Sequence, residues 1–77
     1  MIEYGSFEES GYKITAFMPS GDHEPREWYV TFENEGLVAK ELRIPMLYAP
    51  IFGPDVADVA ELEEKVDAML KDLGGKP

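Results

Sequence analysis

The chain contains no cysteine, which removes two devices that small domains commonly use to stay folded. Neither a disulfide nor a thiolate zinc site can form. It has a single histidine, His23, so no second imidazole is available for a metal or a proton relay. Long apolar runs are missing as well: no segment approaches the roughly 18 consecutive apolar residues of a spanning helix. The opening stretch MIEYGSFEES has no basic region leading into an apolar one. No signal peptide is therefore expected, and the chain is expected to be cytoplasmic, without membrane contact. Its 77 residues make room for a single domain over 1–77. A chain this short buries only about 60% of its unfolded surface. Tight packing or oligomerisation must supply what staples would otherwise give.

Bases are scarce too. Seven Lys and Arg stand against sixteen Asp and Glu, a formal net charge of −9. The imbalance is uneven: residues 1–36 hold eight acids and two bases, residues 37–54 one acid and two bases, and residues 55–73 seven acids and two bases. Such a charge disfavours direct contact with nucleic-acid phosphates or anionic lipid, where Lys and Arg carry the binding. It permits a basic partner, although solubility alone is the plainer account of it.

What is present is strand periodicity followed by helix periodicity. In Tyr12–Met18, residues Tyr12, Ile14, Ala16 and Met18 alternate with Lys13, Thr15 and Phe17. In Glu27–Glu33, Trp28, Val30 and Phe32 share one face, with Tyr29 and Thr31 opposite. Alternation of β-branched and aromatic residues marks strands. Weaker patterns at 2–7, interrupted by Gly5, and at 38–44, with Val38, Leu42 and Ile44 on one face, predict two more. Glu8–Gly11 and Glu33–Gly36 read as hairpin turns, with Gly36 suited to the left-handed position of a bulged turn. From 55 to 73 the period changes: Val59, Leu62, Val66, Met69, Leu70 and Leu73 fall on one helical stripe. Asp55 or Asp58 can cap its start, and Gly74-Gly75 stops it. The fold predicted is α+β: an antiparallel sheet of about four strands in two hairpins, with one C-terminal amphipathic helix on one face.

Between sheet and helix lies an uncharged stretch, Ile44–Pro54, carrying three prolines. Three prolines exclude a central strand. Two uses remain open: a connection whose Ile44, Leu47, Ile51 and Phe52 plug the core edge, or an exposed apolar epitope or dimer seam. The candidate partner surface is therefore Met46, Leu47, Tyr48, Ile51 and Phe52, beside Phe17 and Tyr29 on the sheet face that the helix does not cover. Those two aromatics sit among Glu27 and Glu33, which suits a protein better than a nucleic-acid base.

Asp22-His23-Glu24 has the residue types for acid–base work. Neighbours in sequence rarely converge on one atom, however, and the loop is rich in Gly and Pro. The helix acids Asp58, Glu61, Glu64 and Asp67 are expected on a solvated convex face, which lacks the concave oxygen cage that hard cations need. Glu63, at the edge of the apolar arc, is expected to reach Lys40 or Arg43 or to extend into water. No phosphate loop, nucleophile elbow, zinc spacing or dinucleotide fingerprint occurs. No catalytic residue, metal or cofactor is assigned. The expectation is a small acidic, non-enzymatic protein-interaction or regulatory module, acting on a protein partner or by self-association. The alternatives are a ligand-binding or enzymatic domain completed across a dimer, in which Tyr48, His23 and loop acids converge, and an acidic inhibitor occupying a nucleic-acid-binding surface.

Overall fold

Both hairpins close through two residues with positive φ. Glu9 pairs with Tyr12 across Ser10 (φ 56°) and Gly11 (φ 85°), and Asn34 pairs with Leu37 across Glu35 (φ 54°) and Gly36 (φ 81°). Two consecutive left-handed residues give the turn whose twist matches that of the flanking strands. The structure, a computed structural model, describes residues 1–21, 23–46 and 54–74. Its strands are β1 (Ile2–Glu9), β2 (Tyr12–Met18), β3 (Glu27–Asn34) and β4 (Leu37–Pro45), followed by helix α1 (Val56–Gly74). The sheet is a four-stranded antiparallel meander in the order β1-β2-β3-β4, so the α+β architecture is the one the periodicities predict.

Two bulges alter which side chains share a face. In β1, Glu3 pairs with Phe17 and Gly5 with Ala16, so Tyr4 is an extra residue. Simple alternation would put Tyr4 and Phe7 on opposite faces. The bulge brings both to the helix side, where Tyr4 meets Trp28 edge-on with ring centroids 4.9 Å apart. In β4 the register shifts between Phe32 and Glu33, leaving Ala39 extra. Val38 consequently lies opposite Glu33, half exposed on the far side from Leu42 and Ile44, not beside them as expected. The extra residue that the sequence suggests for the second turn thus sits inside the strand instead.

The helix packs its stripe on Ile14, Ala16, Trp28, Val30, Phe32 and Ile44, and Leu62, Val66 and Leu70 are its buried contribution. Ile14, Trp28, Val30 and Phe32 are fully buried. Asp55 is the N-cap: its carboxylate accepts from the Ala57 N–H at 3.2 Å, and its carbonyl accepts from the Val59 N–H at 3.0 Å. Asp58, expected as a cap or a solvated acid, is buried at 1% exposure. It continues the row Asp58, Leu62, Val66, Leu70 by one turn, and its backbone carbonyl accepts from the Trp28 indole N–H at 3.1 Å. A buried indole needs an acceptor, and the first helical turn is what reaches it. Among the described residues, no helix is long and apolar enough to cross a membrane.

Candidate functional site

The helix covers one face of the sheet, and among the described residues no other element covers the second, open face. Cross-strand register puts Phe17, Tyr29 and Arg43 side by side on β2, β3 and β4 in a single rank of that open face. Phe17 and Tyr29 have ring centroids 6.0 Å apart at a tilt of 35°. The Arg43 guanidinium carbon lies 4.9 Å from the Tyr29 ring centroid, within cation–π range. Glu27 fixes the guanidinium from beside, with Nη1 donating to Oε2 at 2.7 Å. That hydrogen bond and charge raise the Arg43 pKa above its ordinary value. On the other flank the Glu41 carboxylate raises the Tyr29 phenol pKa by favouring its protonated form, with desolvation adding to the effect. The rank below it, Thr15 beside Thr31, is buried although no helix covers it.

Phe17 and Tyr29 are therefore half-buried on the open face, as alternation predicts. Arg43 joins them, where the sequence suggested an aromatic pair among acids only. It does so because β4 pairs with β3 in a register that sets Arg43 directly opposite Tyr29. Glu63 consequently meets neither Arg43, which faces away from the helix, nor Lys40. It lines a cleft on the opposite edge of the sheet, beside β1.

Met46, expected on the candidate partner surface, packs into the core among the described residues. It is buried at 6% in the core cluster, and its N–H donates to the Arg26 carbonyl at 3.0 Å, which holds the end of β4 against the loop before β3. Leu47, Tyr48, Ile51 and Phe52 lie outside the described residues.

Of the two acids beside His23, Glu24 is among the described residues. Asp22 lies outside the described residues. The Glu24 carboxylate is taken up elsewhere: Oε1 accepts from the Ser20 N–H at 2.8 Å and Oε2 from the Met1 ammonium at 2.9 Å. Those two contacts, the Ser20 N–H first, hold the Glu24 pKa down at about 2. The exposed His23 imidazole folds over Gly21, where a Cβ would lie 2.9 Å from its Cε1. Among the described residues, no group of three His, Cys, Asp or Glu side chains is placed to hold a metal ion. Comparison with known protein families, with curated proteins and with solved structures finds no match for this chain.

Proposed function

We propose that the chain is a non-enzymatic protein-interaction module that meets a partner protein with the open face of its sheet. The observation that carries this is the Phe17–Tyr29–Arg43 rank, its arginine held by Glu27, on a face that no other element of the described chain covers. Aromatic residues and arginine are the types enriched at the centres of protein interfaces. A ring and a guanidinium already stacked lose little rotamer freedom on binding. The acids around the rank, Glu27, Glu33 and Glu41, argue for a protein over a phosphate-bearing ligand.

The test is comparative capture. Tagged chain and its Phe17→Ser/Tyr29→Ala double variant are each used to retain proteins from a native lysate of the source cells, and the retained sets are compared by mass spectrometry. A protein retained by the first and lost with the second, while circular dichroism shows both folded, is the expected result. Identical retained sets would remove the open face as the docking surface.

A further inference from the structure

Among the described residues both edges of the sheet are unpaired, and they are not alike. Edge strands are templates for pairing unless something blunts them. β4 is blunted by Lys40, Arg43, Pro45 and the bulge at Ala39. β1 has no proline and no lysine, and from Gly5 to Glu9 it runs without a bulge. The two-residue turn fixes which of its backbone groups point outward. Glu9–Tyr12, Phe7–Ile14 and Gly5–Ala16 are hydrogen-bonded pairs, so the N–H and C=O of Ser6 and Glu8 face away from β2.

Beside this edge, on the helix side, lies a cleft of about 260 Å3 lined by Tyr4, Gly5, Phe7, Val59 and Leu62, with Glu63 in its wall. Gly5 leaves it open, since a Cβ there would meet nothing within 4 Å. Tyr4 and Phe7 remain about half exposed, at 46% and 48%. Glu63 is the only charge in the cleft lining among the described residues, and Lys13 of β2 stands opposite Glu8 on the open face. Every charged side chain of β1 is an acid: Glu3 and Glu8 on the open face, Glu9 on the helix face. The nearby Met1 ammonium is already engaged by Glu24.

We infer that the free edge of β1 and its cleft take an extended basic segment of another protein as a fifth strand. Alternate side chains of such a strand point to opposite faces. Apolar ones on the helix side enter the cleft over Gly5, and Lys or Arg at the intervening positions lie beside Glu3 and Glu8. A second copy of this chain is the poorer occupant, because it would bring the same acids strand against strand, and like charges directly opposite are destabilising. Main-chain bonds from Ser6 and Glu8 supply the pairing, and the cleft supplies the side-chain preference. This site is separate from the Phe17–Tyr29–Arg43 rank and does not rest on it.

The probe is an end-blocked peptide of about eight residues alternating Lys and Val, compared with its Glu–Val counterpart. Amide hydrogen exchange is followed residue by residue in the full chain. With the Lys–Val peptide at millimolar concentration, exchange at Ser6 and Glu8 should slow by about tenfold or more; the Glu–Val peptide should leave it unchanged. Ser6→Pro removes an outward donor without breaking a sheet bond, and Gly5→Leu fills the cleft. Each should raise the Kd by about tenfold, with the buried Trp28 fluorescence reporting an intact core. Unchanged exchange at Ser6 and Glu8 in the unaltered chain overturns the proposal, as does equal binding of the Glu–Val peptide, or full binding by both folded variants. Protection at these amides that grows with protein concentration and needs no peptide would make a second copy the occupant, and would overturn the basic partner.

Discussion

Arg43 and Asp58 both sit where their residue types alone would not place them. Arg43 is a strand cation held flat over Tyr29, because Glu27 takes one of its nitrogens. Asp58 is an acid inside the core, because the helical row through Leu62, Val66 and Leu70 passes through it. Tyr29 is the residue through which this arrangement can be measured. The Glu41 carboxylate beside it favours the neutral phenol, so its pKa is raised above the ordinary value. The stabilisation from this contact is intact below the unfolded phenol's pKa and is lost as pH climbs from there through the raised folded value. Glu41→Ala removes both the acceptor and the negative charge, so the Tyr29 titration should fall toward the ordinary value. Residue-resolved NMR of labelled tyrosine carbons is needed, since the chain has four tyrosines. A Tyr29 midpoint unmoved by the substitution would mean that Glu41 does not fix the ring.

At the scale of elements, the helix closes the core, because its stripe completes the hydrophobic cluster on the sheet face among the described residues. Leu62 lies in the middle of that stripe at 6% exposure. Leu62→Ala should cost about 2–4 kcal/mol, the range for a truncated core leucine whose cavity collapses only in part. A domain of this size has a total stability of the same order, about 5 kcal/mol. Urea unfolding followed by Trp28 fluorescence should therefore show a large fall in midpoint; an unchanged midpoint would mean that the stripe is not what holds the sheet face dry. The two hairpins are built alike. Gly11 and Gly36 take left-handed φ at little cost, but Ser10 and Glu35 also stand at φ 56° and 54°. A glutamate there is held by the strand pairing on either side of the turn and not by its own preference.

For the whole molecule, charge and shape act together. A net charge of −9 on 77 residues repels a second copy and attracts a basic strand. Salt separates the two, since added ions shorten the range of both effects, to about 10 Å at 0.1 M. Sedimentation equilibrium at low and high salt should show any self-association strengthening as salt rises, while binding of the Lys–Val peptide weakens over the same range. A dimer that dissociates on adding salt would require attractive charge contacts between copies. The acids of β1 would then lie away from its seam.

The sequence by itself determined the elements, their order and the two sides of each inner strand. Alternation in Tyr12–Met18 and Glu27–Asn34 and the three-and-four spacing from Val59 to Leu73 are local patterns, and each is set by the geometry of one element. Phe17 and Tyr29 could be placed on the uncovered face for that reason. What tertiary structure alone decided is what depends on register between strands. The bulges at Tyr4 and Ala39 leave no mark in a short, weakly alternating run, yet they turn Tyr4 and Phe7 together toward the helix and Val38 away from it. Arg43 reaches Tyr29 only because the second turn and its neighbouring bulge set that pairing. Met46, apolar and beside a proline, reads equally well as surface or core. Its burial follows from the hydrogen bond that ties it to Arg26, a contact between residues twenty positions apart that no local pattern encodes.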